Sequence, residues 1–369
     1  SRPTFVELEL KVAAIEVAGI TVEADAFRAR EDAPTSTQRL TEVEIRRTPG
    51  GIGDISRSLL SLPGVLGGVD NRNDILVRGG GPGENAYYLD GIRIPQINHF
   101  ATQGTAGGAL ALVNADFIQD ATFFTGGFPV RYGDALSSVL LIENRPGTRD
   151  GIAGDVTLGA SEAGITLDGP LGDEATWLLS VRRSYLQFLF EALDLPIRPD
   201  YWDGQVSLLW EPTGRDRLTF TGIGAIDEFG IIEPDADDDF EKREIFQRVL
   251  DNDQKSYTVG GTYRRLFGDD GLVRVRASHS FTDYRFADED ALGSTLLTNT
   301  SLERETRLEA EGEMGMGPSL RAGAGVELVR AAIDSDVFQR AIPGGLLPDD
   351  VRYGTEIGFW KPAAWGQVT

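Results

Sequence analysis

Few residues in this chain have types suited to chemistry, and their spacing limits what they would do. Cysteine is absent, so disulfides and thiolate metal sites are excluded. The two histidines, His99 and His279, are too few to build a histidine metal centre. His99 lies between Asn98 and Phe100, in a loop that would face either a ligand or bulk solvent. Asp235, Asp237, Asp238, Asp239 and Glu241 crowd one acidic segment. Carboxylate oxygens suit calcium, but the spacing is not that of an EF-hand, and a solvated acidic loop competes with a calcium loop. Gly79-Gly80-Gly81 with Gly83 hints at a phosphate cradle, yet no Lys-Ser/Thr follows and no helix opens there, so a nucleotide site is excluded. The remaining acids are spread along the chain rather than gathered, which argues against catalysis and gives no reason to invoke a cofactor. A net charge of -23 excludes nucleic acid as a partner, because phosphates need a basic surface.

The elements that position these residues change character along the chain. Residues 1–25 contain β-prone alternation, as in Phe5-Val6-Glu7-Leu8, and residues 26–48 are polar enough for a linker. Asp54 is a good N-cap for a helix over Ile55–Leu62, which Pro63 ends. Asp74–Arg78 reads as a short strand. Asp90-Gly91 joins Ala86–Leu89 to Ile92–Ile94 as a two-residue hairpin of type I′. Ala109–Ile118 is expected to be a helix. An apolar run then ends at Gly126-Gly127, a turn carries Arg131-Tyr132-Gly133, and Ser138–Glu143 is a strand.

Beyond residue 150 strict alternation takes over. Leu308, Ala310, Gly312 and Met314 share one face; Arg307, Glu309, Glu311 and Glu313 share the other. Val273 and Val275 oppose Arg274 and Arg276 in the same way. A charged face repeated over several strands cannot be a dry sandwich core, but it suits a wet lumen with the apolar face towards lipid. Ten strands are expected, at about 152–160, 164–169, 175–183, 203–212, 216–226, 255–267, 271–283, 301–315, 318–330 and 356–369. Short links alternate with long ones (184–202, 227–254, 284–300 and 331–355), as in outer-membrane barrels. No run reaches the ~18 apolar residues of a membrane helix. Trp177, Trp210, Trp360 and Trp365 fit interfacial girdles, with Trp202 in a loop.

Several motifs together resemble the TonB-dependent outer-membrane receptors. They are Leu62-Pro63-Gly64-Val65, Ile75-Leu76-Val77-Arg78-Gly79-Gly80, Tyr88-Leu89-Asp90-Gly91-Ile92 and Gly127-Phe128-Pro129-Val130-Arg131-Tyr132-Gly133. The last, with Gly169-Pro170-Leu171-Gly172 and Arg182-Arg183-Ser184-Tyr185, resembles the subgroup that carries an N-terminal carboxypeptidase-regulatory-like domain. The resemblance implies a mixed α/β plug domain inside a transmembrane antiparallel β-barrel. The domains would be a regulatory-domain tail with a possible TonB box over 1–25, a linker over 26–48, a plug over 49–147 and the first part of the barrel over 148–369. The family barrel has about twenty-two strands, so the ten read here imply a truncated barrel.

The resemblance also assigns roles. Arg78 and Arg131 would be plug arginines that grip barrel carboxylates, with the partners beyond Thr369; solvated turn residues are the alternative. Ile20, Thr21, Val22, Glu23 and Ala24 would be the TonB box, adding a strand to its partner, unless they form an ordinary strand. From their positions, His99, Arg182 and Arg183 are candidates to face the ligand; the alternatives are a surface histidine and, for the two arginines where the third strand meets its outer loop, packing at the rim. The implied function is energy-coupled import of a scarce ligand (siderophore, cobalamin, glycan or peptide) across the outer membrane of a Gram-negative-type bacterium. Its partners would be TonB with its inner-membrane motor complex, outer-membrane lipids, the small imported ligand and a surface lipoprotein lid. A scaffold within a larger envelope assembly, without transport, is the alternative.

Overall fold

A computed structural model describes residues 36–369, apart from 52, 69–71, 160–161, 233–250, 269, 290–293, 318–319 and 342–348. The stretches expected to be a TonB box (20–24) and a calcium loop (235–241) lie outside the described residues.

The first part of the chain builds a small mixed sheet. β1 (Thr37–Thr41) leads into α1 (Glu42–Arg47), where Thr41 and Glu44 cap each other's exposed groups in a capping box. α2 (Ile55–Leu60) starts on Asp54, whose carboxylate accepts from the Ser56 and Arg57 backbone N–H groups. β2 (Val65–Gly67) and β3 (Ile75–Val77) pair with each other. β4 (Asn85–Leu89) and β5 (Ile92–Ile94) form the expected hairpin, with φ of 52° at Asp90 and 82° at Gly91, as a type I′ turn requires. β6 (Asn98–His99) and β7 (Leu110–Ala111) make a short ladder, and β8 (Ile118–Phe124) and β9 (Ser138–Asn144) complete the unit. The sheet order is β1-β8-β9-β4-β5, with β4 parallel to β9 and the other pairs antiparallel. Both helices and one face of β8 and β9 enclose a dry core of Ile45, Ile55, Leu59, Val77, Phe123 and Leu140, while Phe124 and Val139 on the other face pack with Ala86 and Tyr88.

Two expectations fail in this unit. Residues 37–47, read as linker, instead add an edge strand and a helix, because Leu40 and Ile45 bury into the core. Ala109–Ile118 is not one helix. It splits into β7, a 3-10 turn over Ala115–Phe117 capped by Asn114, and the start of β8. The Leu112 backbone N–H is taken by the Ile97 carbonyl, so the ladder outcompetes a helical turn.

All ten expected strands are present: β10 (Ala153–Leu158), β11 (Glu162–Pro170), β12 (Ala175–Ser184), then α3 (Leu186–Ala192), β13 (Ile197–Thr213), β14 (Asp216–Ile231), β15 (Asp251–Phe267), β16 (Gly271–Glu289), β17 (Thr295–Gly315), β18 (Arg321–Gln339) and β19 (Val351–Val368). Each is antiparallel to its sequence neighbour in one open sheet running from β10 to β19. Strands from β13 onward extend several residues further towards the long loops than expected. Those extensions mix polar and apolar residues on both faces (Tyr284-Arg285-Phe286-Ala287-Asp288-Glu289 against Thr295–Thr300), so alternation fades while the hydrogen-bond ladder continues. No helix among the described residues is long and apolar enough to cross a membrane.

The sheet is turned inside out relative to a soluble protein. On β17, Arg307 is 4% exposed while Leu308 is 51% exposed. Glu311 and Glu313 are buried, and Val273, Val275 and Val326 point out. The buried, charged face wraps the small sheet, and Ile223 and Ala225 of β14 join that sheet's apolar core. The architecture is thus a plug against a partial barrel wall with a polar inner face and an apolar outer face. Trp177, Trp202, Trp210 and Trp360 lie at outward positions of the wall. Trp202 sits in β13 rather than a loop, and Trp365 points inward, within 5.9 Å of the Arg131 guanidinium, rather than towards a girdle.

Candidate functional site: the seam between plug and wall

Four of the residues singled out from the sequence, Asp90, His99, Arg131 and Arg182, gather along the seam where plug meets wall. The seam is polar almost throughout. Asn114 Nδ2 donates to Ser180 Oγ at 2.7 Å, Gln96 Nε2 to Ser256 Oγ at 3.2 Å, and Gln103 Nε2 to Glu303 Oε1 at 2.7 Å. Asp90 does more than turn a hairpin. Its carboxylate accepts from the Thr221 hydroxyl at 2.5 Å and from Asn144 Nδ2 at 2.7 Å, while Thr262 of β15 donates to its carbonyl. Burial raises the Asp90 carboxyl above its ordinary range, with Thr221 and the Asn144 backbone N–H pulling the other way. Room for this approach comes from Gly260 of β15: a Cβ there would sit 2.7 Å from Ile92 Cδ1 of the plug and 2.7 Å from the Ala277 carbonyl.

Two charged latches stand at opposite ends of the seam. The first centres on His99, which is fully buried and so not ligand-facing. Its Nδ1 lies 2.6 Å from Asp227 Oδ1 and its Nε2 3.1 Å from Asp203 Oδ2. With a carboxylate at each nitrogen, both ring positions must donate, and the ring is an imidazolium. Burial pushes its pKa down, but Asp227 and Asp203 outweigh that and hold it up at about 9. Tyr201 stacks on the ring at 3.9 Å, and the Phe100 N–H donates to Asp227 Oδ2 at 2.9 Å. Arg182 completes the latch: Nε donates to Asp203 Oδ1 at 3.0 Å and Nη2 to the Leu112 carbonyl at 2.8 Å. Its neighbour Arg183 takes the opposite, outward phase, pairing with Asp200 at 3.0 Å and covering Trp202 at 4.8 Å. Neither is placed to meet an incoming ligand as expected, since one is locked in the seam and the other lies outside the wall.

The second latch centres on Arg131. Its Nη1 lies 2.8 Å from Glu313 Oε1 and 4.0 Å from Glu311 Oε1. Tyr132 seats the turn by packing on Tyr88 at 5.1 Å, and Gly126 and Gly127 enter it with φ of 145° and 62°. Gly133 needs no such freedom; the positive φ falls on Asp134 instead. The same glutamates are held by wall arginines. Arg274 bonds Glu311 and lies 3.2 Å from Glu313; Arg276 reaches Glu311 at 2.6 Å and Glu309 at 2.7 Å. The partners of Arg131 therefore lie within this chain, on β17, and not beyond Thr369.

Arg78 does not pair with the wall. It is exposed with φ of 49°, donates to Thr125 Oγ1 at 3.2 Å, and meets no carboxylate among the described residues. Of the glycines beside it, Gly80 packs tightly, since a Cβ there would meet Ser137 Oγ at 2.2 Å, while Gly79 faces open space with φ of 85°. Asp203 and Asp227 were not singled out from sequence. The signal was available, since both share the inward phase of their strands with Gln205 and Ala225. Among the described residues no group of three or more His, Asp or Glu is arranged to hold a metal ion.

The model of the TonB-dependent receptor plug domain matches residues 29–139. No curated protein matches the chain. Among solved structures, the siderophore receptor PirA from Acinetobacter baumannii aligns at 15% identity and a TM-score of 0.60, covering 89% of this chain and 58% of that one. A mutant ferric enterobactin receptor from Pseudomonas aeruginosa aligns at 16% identity and 0.60, covering 93% and 61%. The copper transporter OprC aligns at 12% identity and 0.63, covering 90% and 52%. The chain thus spans about three-fifths of the length of the first two, 58% and 61%, and at these identities the likeness is one of fold. Residues 29–139 match the plug domain of TonB-dependent receptors, and the described plug residues with the ten-stranded sheet beside them share the plug-and-barrel fold of those solved structures.

Proposed function

We propose that this chain is the plug and first part of the wall of an outer-membrane importer, coupled by TonB to its inner-membrane motor, in a Gram-negative-type bacterium. The observation that carries this reading is the seam. A lumen lined by Arg274, Arg276, Glu311 and Asp203 is filled by a domain with its own dry core, held to the wall through polar groups. Water can replace such contacts, so a plug can shift while exposing little apolar surface beyond that packed on Ile223 and Ala225. No covalent step is needed, and the reading assigns no catalytic residue.

Force applied before Ser36 would act at a defined corner. The Thr125 N–H donates to the Ser36 carbonyl at 3.2 Å, and the Ser36 hydroxyl donates to the Gly126 carbonyl at 2.5 Å. Thr125 opens the turn that carries Arg131. Pulling Ser36 therefore loads edge strand β1 and the Arg131 turn together. Ile20–Ala24 are the segment we assign to TonB, by strand addition. The cargo would be a siderophore, cobalamin, glycan or peptide, bound above the plug among the long loops.

Uptake by cells with and without the gene tests this, using radiolabelled ferric siderophores, ferric citrate and cobalamin and labelled glycans and peptides. Energy-dependent uptake of one probe should vanish on deletion of either the gene or TonB. Unchanged uptake of every probe would favour a scaffold instead.

A further inference from the structure

One of the long connections is a helix with an exposed apolar side. α3 places Phe188, Leu189 and Ala192, with Leu193 just past its end, on one stripe; Phe188 is 64% exposed and Leu193 60%. Gln187 and Glu191 lie on the other side. The helix is fixed to the outer surface of the wall. Gln187 Nε2 donates to Asp200 Oδ2 at 3.3 Å, and Asp200 shares its strand phase with the outward-facing Trp202, opposite to Tyr201 and Asp203, which face the seam. The Tyr185 hydroxyl, one residue before α3, ties to the Gly159 carbonyl of the next hairpin.

We propose that α3 lies in the outer interface of the membrane, with its apolar stripe in the lipid and the Arg183–Trp202 pair at headgroup level. The occupant is lipid because the stripe continues an apolar surface already assigned to it. Below α3, the outward face of β12 and β13 presents Leu179, Val181, Leu208 and Trp210. An arginine stacked on a tryptophan at the edge of that band suits the boundary between acyl chains and phosphates. An amphipathic helix at this depth buries its apolar face while its polar side stays wet. The inference goes beyond import: it concerns how one outer loop is anchored, whatever the cargo.

The absence of cysteine permits a direct test. Single nitroxide labels are placed at Phe188→Cys, Leu193→Cys, Glu191→Cys and Val181→Cys in the whole receptor, reconstituted in phosphatidylethanolamine–phosphatidylglycerol vesicles. Collision with oxygen is compared with collision with a water-soluble nickel chelate. Folding is checked by heat-modifiable gel migration, and Leu189→Cys replaces any variant that fails. The oxygen-to-nickel ratio at 188 and 193 should match that at 181 and fall severalfold at 191. Equal nickel access at 188, 191 and 193 would overturn the proposal and put α3 in water. Low access to both reagents at 188 and 193 would overturn it in favour of a contact between copies. A wet Val181→Cys would overturn the membrane reading of the wall as well.

Discussion

The two latches hold the same plug to the same wall, but their charges are divided differently. At the long-loop end, the plug supplies the cation that Asp227 needs, while Asp203 also has Arg182 of the wall. The partners of Asp227 among the described residues, the His99 ring and the Phe100 N–H, both belong to the plug. At the short-turn end, the wall has already neutralised itself. If Arg131 leaves, Glu311 keeps Arg274 and Arg276, and Glu313 keeps Arg274. Opening the first latch strands a buried carboxylate and an imidazolium; opening the second strands little. The His99 latch therefore behaves as an anchor and the Arg131 latch as a release point, and the release point sits beside the turn that force on Ser36 would load.

The largest expected effect tests the anchor. Asp227→Ala leaves the buried imidazolium with Asp203 alone and should cost about 3–5 kcal/mol of plug docking. Denaturant titration in detergent checks this, with a fluorophore on a single cysteine at the exposed plug position Val43 (Val43→Cys). A loss equal to or below that of Arg131→Ala would reverse the assignment of anchor and release point.

Alkaline pH should weaken the same latch by a comparable amount once the ring is fully deprotonated. His99 rises from an ordinary value of 6.5 to about 9 in the folded plug. Its contribution is complete below about pH 6.5 and is lost as pH climbs through about 9, because the unfolded ring releases its proton first. Amide exchange around Asn98–Ala101 should accelerate over that window while exchange in the Arg131 turn does not. A parallel rise in both would mean that the plug moves as one body.

Arg131→Ala should cost less, about 1.5–3 kcal/mol, the range for a hydrogen bond to a charged group. Its sharper consequence is mechanical: pulling from Ser36 in a single-molecule experiment should remove the plug at lower force, while Asp203 and Asp227 still hold His99. No change in release force would remove Arg131 from the path.

What could be read from the chain beforehand follows the same division. The wall was legible because period-two alternation is local: Arg307 and Leu308 take opposite faces whatever surrounds them. The Asp90-Gly91 hairpin was legible because both residues need positive φ. The latches were not, because each joins residues more than a hundred positions apart: His99 to Asp203 and Asp227, Arg131 to Glu311 and Glu313. Pairing them requires the phase of each strand and the placement of the plug within the wall. Ala109–Ile118 was misread for a related reason. Its apolar positions suit a helix, but its neighbours supply ladder partners such as the Ile97 carbonyl.

The smallest effect separates the two arginines that the family motifs single out. Arg78 and Arg131 look alike in sequence, each beside a glycine turn. In space Arg78 is exposed and bonds only a threonine hydroxyl, within the plug, among the described residues. Its loss removes one solvated hydrogen bond and no charge pair seen there, so Arg78→Ala should change docking by less than about 1 kcal/mol. The same titration as for Arg131→Ala reads it. If the two substitutions proved equal, the difference between a buried and an exposed arginine would not matter at this seam. The Arg131–Glu313 contact would then be packing rather than a latch, and the contrast between the two ends would rest on His99 alone.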